Sequence, residues 1–243
     1  MKNLWSWWKQ YWRWITLGWA LGLAATLYLH HTKADLAWTG VGIELIFATY
    51  YLISILVSTT SPNPISWFGW TVVGATAAYA ARQAHAGPAF DVAITFVFVT
   101  AAICVVSIYK WQQREKLSRR SLKLQLGIGA AGLLLLIVSL MGVLPGYLSA
   151  SFGVAGDCFF AVLTLDQAWK WPNFESRLAW WAAVVVAAFG LLARDSHGYT
   201  ASAYLWYLLG GNIVIAAAVT IARLRDDHGL SWIPQPRHTD AGA

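Results

Sequence analysis

The sequence predicts an all-α integral membrane protein: eight transmembrane helices, made of one N-terminal helix and a 3+1+3 core of two parallel three-helix repeats joined by a connector. Three observations predict this. Of 243 residues, 58% are hydrophobic and only 12% charged, a balance that belongs to membrane-spanning chains rather than to soluble domains. The basic residues fall between the apolar runs, and almost all in alternate gaps. A stretch around Glu44 recurs 113 positions later around Asp157.

The apolar runs lie at about 11–31, 36–58, 65–83, 88–111, 124–144, 147–169, 177–194 and 199–223, each close to the length a bilayer requires. Pro64 and Pro88 stand where helices start, a position that tolerates proline, and Pro145 stands in the gap before the sixth run. The N-terminal collar places Lys2, Lys9 and Arg13 among Trp5, Trp7, Trp8, Trp12 and Trp14. It reads as an interfacial segment leading into a span, not as a cleavable signal. With the N-terminus inside, 14 of the 17 Lys and Arg residues fall on inner segments and 3, Lys33, Arg82 and Arg194, on outer ones. That split predicts both termini on the cytoplasmic side, with the loop from Lys110 to Lys123 as the main anchor. The net charge of +6 is therefore read as a topology signal, and no nucleic-acid partner is expected.

The repeat assigns the parts. Gly40–Ser54 and Gly153–Gln167 share Gly40/Gly153, Val41/Val154, Phe47/Phe160, Ala48/Ala161 and Leu52/Leu165, with Glu44 opposite Asp157 and Trp67 opposite Trp180. The expected organisation is an N-terminal segment and helix at 1–34, a first triplet at 35–111, a basic loop and connector at 112–146, a second triplet at 147–225 and a cytoplasmic tail at 226–243. The turns Thr59–Pro64 and Trp171–Phe174 correspond, each with a Pro-Asn pair. Internal repeats with an acid at bilayer depth are how many carriers are built, with the solute bound near mid-depth between the repeats.

Glu44 and Asp157 are the sharpest candidates. They either line a solute cavity or brace helices by bonding a Trp or Tyr donor. Gln167 offers an amide at a ligand edge or at the interface. Trp67, Trp70, Trp180 and Trp181 open the middle helices of the two triplets, as stacking surfaces for a flat heteroaromatic ligand or as an interfacial belt. Tyr204 lies in the run that opens the last helix, and Asn212 is a lone amide further along it, suited to bridging helices. Cys104 and Cys158 read as packing residues without a disulfide. No HExxH, Walker A or GxSxG motif is present, and no spaced metal-ligand cluster, so neither an enzyme nor a cofactor is expected.

The residues Asp157-Cys-Phe-Phe-Ala-Val-Leu-Thr, followed by Asp166-Gln-Ala-Trp, resemble the PnuC family of vitamin transporters. Glu175–Trp181 resembles that family's approach to its next helix, and Gly198–Leu205 its tyrosine-rich start of the last one. Gln83-Ala-His85 and Tyr109-Lys110-Trp111 are similar as well. The run Ala182–Phe189 departs from the family in carrying no polar residue. The resemblance implies a SWEET-like fold in a bacterial inner membrane, assembled as a homotrimer. It implies facilitated diffusion of nicotinamide riboside or a related vitamin, without ATP or ion coupling. The alternatives are a SWEET- or PQ-loop-like carrier of another small solute, and an accessory membrane subunit that does not transport.

Overall fold

The structure, a computed structural model, describes residues 32–58, 60–83, 88–112, 119–141, 145–193 and 199–227. The expected first span at 11–31, its tryptophan collar, His85 and most of the C-terminal tail lie outside them. The described residues form seven α-helices: α1 (Lys33–Val57), α2 (Pro64–Gln83), α3 (Pro88–Gln112), α4 (Arg119–Leu140), α5 (Gly146–Lys170), α6 (Arg177–Ala193) and α7 (Tyr199–Asp227). A 3-10 turn, Pro172–Phe174, precedes α6, and the described residues contain no strand.

The helix starts follow from local chemistry. Pro64 and Pro88 are the first residues of α2 and α3, where a missing N–H costs nothing because no acceptor awaits it. Asn63 Oδ1 accepts from the Ile65 N–H at 2.9 Å, and Ser176 Oγ from the Ala179 N–H at 3.3 Å. These two caps satisfy orphan donors at the starts of α2 and α6, and they stand 113 positions apart, the offset of the repeat.

Four stretches are long and apolar enough to cross a bilayer: Asp35–Val57, Phe90–Trp111, Leu122–Leu140 and Leu205–Asp226. Length and composition therefore support four spans among the described residues, where seven of the eight expected runs fall. The shortfall has a physical cause. Helix α6 is apolar but has only 17 residues. Helices α2 and α5 are long enough, at 20 and 25 residues, but both carry polar residues that are buried inside the bundle, among them Ser66, Asp157, Thr164 and Gln167. A helix shielded by its neighbours needs less apolar surface than one facing lipid.

The two triplets are arranged alike. Helix α3 packs against both α1 and α2, and α7 against both α5 and α6, so the spatial order in each is first, third, second. Across the triplets the packing is reciprocal: α1 lies on α6, and α2 on α5. The connector α4 packs on α5 and α2. Its contact with α5 requires glycine on both sides, because a Cβ on Gly132 would stand 2.8 Å from the Gly156 carbonyl and the reverse substitution is equally close. At the α2–α5 crossing, a Cβ on Gly69 would meet the Phe160 ring at 2.1 Å.

Successive helices reverse direction. Gly40, early in α1, lies beside Phe189, late in α6, whereas Tyr51, late in α1, bonds Glu175 just before α6. One end of the bundle thus gathers the end of α1, the starts of α2 and α6, and the ends of α5 and α7. Cys104 of α3 reaches the Pro64 carbonyl and Gln125 of α4 bonds Asn63, which brings the end of α3 and the start of α4 to the same place. The main core lies in this half and includes Tyr51, Ile55, Trp67, Trp70, Phe160 and Trp180. Cys104 is buried and free, as expected of a packing residue; Cys158 is also free but is exposed on the bundle surface.

Candidate functional site: a buried acid and tryptophan interior

Glu44 on α1 and Asp157 on α5 are both buried, at 8% and 2% exposure. The Trp70 indole hydrogen-bonds the Asp157 side chain across the α2–α5 contact. Asp157 Oδ1 and Glu44 Oε2 have no hydrogen-bond partner. Thr164 Oγ, two helical turns below Asp157, and the Trp67 indole nitrogen are buried and equally without one. Buried polar atoms in proteins are overwhelmingly bonded, and each that is not costs about 1–3 kcal/mol.

Three of the four candidate tryptophans meet at the centre. Trp67 and Trp70 contact edge to face, with centroids 5.0 Å apart and planes at 84°; Trp70 and Trp180 do the same at 5.1 Å and 73°. Trp67 and Trp180, which correspond in the repeat, stand 6.1 Å apart, and Tyr51 lies 5.5 Å from Trp67. Such edge-to-face contacts contribute on the order of 0.5–1.5 kcal/mol each beyond area burial. All three indoles are buried, so none belongs to an interfacial belt. Trp181 is not part of the cluster. It is 44% exposed, and its indole donates to Thr220 on α7 at 3.2 Å. Successive residues on a helix point about 100° apart, so Trp180 and Trp181 cannot both face the interior.

Below the rings lies a third acid. Glu175 is fully buried, at 0% exposure. Its Oε2 accepts from the Tyr51 hydroxyl at 2.6 Å and the Trp180 indole at 3.1 Å, and its Oε1 from the Gln167 amide at 3.2 Å. The same amide donates to the Ser61 carbonyl at 3.0 Å, and the Ser61 N–H donates to the Phe174 carbonyl at 3.0 Å. Arg223 of α7 donates to the Pro172 and Glu175 carbonyls at 3.0 and 2.5 Å. The two Pro-Asn turns therefore meet, and the node ties both triplets together at one end of the bundle. Gln167 is a member of this brace, its amide nitrogen engaged by two acceptors. Asp166, its neighbour, pairs with Lys170 at 2.7 Å on the surface.

Glu175 and Tyr51 carry the tightest polar contact between the triplets, yet sequence reasoning did not single them out as site residues. A glutamate in a short polar turn ordinarily faces water. The available signal was the spacing: Glu175 precedes Trp180 closely, and Tyr51 lies on the Glu44 face of α1, two turns away. Tyr204 falls in α7, but its side chain is outside the described ones. Asn212 donates to the Ala183 carbonyl at 3.3 Å, bridging α7 and α6. Among the described residues no group of His, Cys, Asp and Glu is arranged to hold a metal ion. No protein-family profile, curated protein or solved structure matches this chain, so its own interior chemistry is what bears on function.

Proposed function

We propose that the chain is a membrane carrier of PnuC type, moving a small solute by facilitated diffusion through alternating access between its two triplets. The single observation behind this reading is the reciprocal packing of α1 on α6 and α2 on α5, which encloses two acids at corresponding positions of a repeat. Two like halves packed around buried polar groups form an interface on which one half can rock against the other about an enclosed site. The solute is a flat heteroaromatic riboside of the nicotinamide kind or a related vitamin, held between the triplets against Trp67, Trp70 or Trp180. The Glu175 node closes one end in the conformation described. The charge split makes that end cytoplasmic: Lys110, Lys123, Lys170, Arg177, Arg223 and Arg225 lie toward it, and Lys33 and Arg82 toward the other. The membrane is a bacterial inner membrane, all eight spans cross it, and the carrier assembles as a homotrimer.

Calorimetry of the purified protein with nicotinamide riboside tests the reading. Binding is expected, and alanine at the ring that stacks the base is expected to weaken it by roughly 5- to 150-fold, from about 1–3 kcal/mol of stacking. The three buried tryptophans are the targets, with Trp181→Ala as a control expected to leave binding unchanged. A well-folded wild type that binds no riboside ends the riboside assignment.

A further inference from the structure

We infer that Ser66 of α2 and Thr164 of α5 hold one buried water between the triplets. Both side chains are buried, at 0% and 1% exposure, and neither hydroxyl has a hydrogen-bond partner in the protein. Other hydroxyls in these helices are satisfied locally. Thr49, Thr71, Thr100 and Ser107 each donate to the carbonyl four residues back, the ordinary recourse of a hydroxyl on a helix. Ser66 and Thr164 do not, so each keeps its donor and its acceptor lone pairs for another group.

The contacts on either side place the two hydroxyls at one level. Helices α2 and α5 run antiparallel, and three contacts join them in order: Trp70 to Asp157, Gly69 to the Phe160 ring, and the Ser61 carbonyl, just before α2, to Gln167. Toward the end closed by the Glu175 node, Ser66 is three residues beyond Gly69 and Thr164 four beyond Phe160. At the helical rise those steps are about 4.5 and about 6 Å. Around the helix, Ser66 falls between the directions of Gly69 and Trp70, and Thr164 between those of Phe160 and Asp157. The two hydroxyls therefore stand on facing sides, bracketed by contacts between the same two helices.

The repeat shows why room is left there. The corresponding residues in the α1–α6 seam are Tyr51 and Ala179. A ring occupies that level, and its hydroxyl continues to Glu175. The α2–α5 seam has two short side chains instead, while the Phe160 ring lying on Gly69 sets how closely the helices approach. A water suits both the space and the chemistry, because it accepts from one hydroxyl and donates to the other. Asp157, the acid on this face of α5, is two turns from Thr164 and cannot share a ligand with it, so a neutral molecule fits where a cation would lack a charged partner. The two seams then differ in kind. One is closed by a direct bond from Tyr51 to Glu175, the other, at the same level, by an exchangeable molecule.

The test is an experimental structure of the full-length protein at a resolution that shows ordered waters. A peak is expected within hydrogen-bonding distance, about 2.5–3.0 Å, of both hydroxyl oxygens. Ser66→Ala and Thr164→Val, the second putting a methyl where the hydroxyl was, are each expected to lose it. Thr164→Ser keeps a hydroxyl at that point and is expected to retain it. If Ser66→Ala does not fold, the two Thr164 variants decide. A direct bond from Ser66 to Thr164 overturns the inference, and so does a return of both hydroxyls to carbonyls of their own helices with no peak between them. A peak that survives the removal of either hydroxyl overturns the assignment to these two residues. None of these outcomes depends on which solute the protein carries, or on whether it carries one.

Discussion

In the second triplet the Trp180 indole donates to Glu175; in the first, the corresponding indole of Trp67 is buried without an acceptor. The residue that corresponds to Glu175 is Pro62, which cannot accept through its side chain. Similar differences recur along the repeat. Tyr51 bonds Glu175, whereas its counterpart Thr164 leaves its hydroxyl unbonded. Gln167 bonds across the interface, whereas its counterpart Ser54 donates to the carbonyl of Tyr50 in its own helix. Trp70 reaches Asp157, and its counterpart Ala183 has nothing with which to reach Glu44. The helix order and caps are shared; the polar partners are not. The two triplets pack alike because packing is set by shape and small residues at crossings. Their polar groups diverge because one bond between the triplets, made once, ties both.

Substitutions can break that comparison, and the largest effect is expected at Glu175. Glu175→Ala removes the acceptor of the buried Tyr51 and Trp180 donors and leaves the Gln167 amide with the Ser61 carbonyl alone. A loss of about 3–5 kcal/mol is expected, seen as a lower midpoint in denaturant titrations of detergent-solubilised protein, with Pro62→Ala far milder. A midpoint unchanged by Glu175→Ala would mean that the node does not hold the triplets together. Next come the two indoles. Trp180→Phe loses a hydrogen bond that Trp67→Phe does not, so it should be the more destabilising by about 1–3 kcal/mol in matched thermal melts. Equal losses would show that the repeat mates are energetically alike despite their different partners. The smallest pair is Tyr51→Phe and Thr164→Val. The first should cost about 1–2 kcal/mol, while the second should be neutral or stabilising, since it removes a buried hydroxyl that has no partner. In uptake assays Asp157→Asn is expected to impair transport more than Glu44→Gln. Asp157 is already oriented by Trp70, and an oriented group contributes more to a bound state; the reverse order would put the dominant contact on the first triplet.

The helical layout was legible because it depends on local chemistry. Pro64, Pro88 and Pro145 mark helix starts, and the expected runs from 36 to 223 agree with the seven described helices to within a few residues. The burial of Glu44 and Asp157 was legible from their place in apolar runs, and three of the four tryptophans do converge. Trp181, 44% exposed, faces away from the cluster because adjacent residues on a helix point about 100° apart. The Glu175 node was not legible. It joins Tyr51, Ser61, Gln167 and Trp180, which belong to different elements, and no periodicity connects a turn residue to a helix 124 positions away. Helices α2 and α5 are less apolar than the four span-like stretches, in part because Ser66, Asp157, Thr164 and Gln167 are polar residues buried inside the bundle.

The 124-residue separation between Tyr51 and Glu175 also constrains how the protein is made. Synthesis proceeds from the N-terminus, and elements complete their contacts as later ones emerge. The first triplet enters the bilayer with the Tyr51 hydroxyl lacking its eventual acceptor, and remains so until α4, α5 and the Pro172–Phe174 turn have followed. Its insertion and its final packing are therefore separate events, the second waiting on a glutamate 124 positions further along the chain. A nascent chain halted before residue 175 would hold α1, α2 and α3 without the Tyr51–Glu175 bond, which only later synthesis supplies.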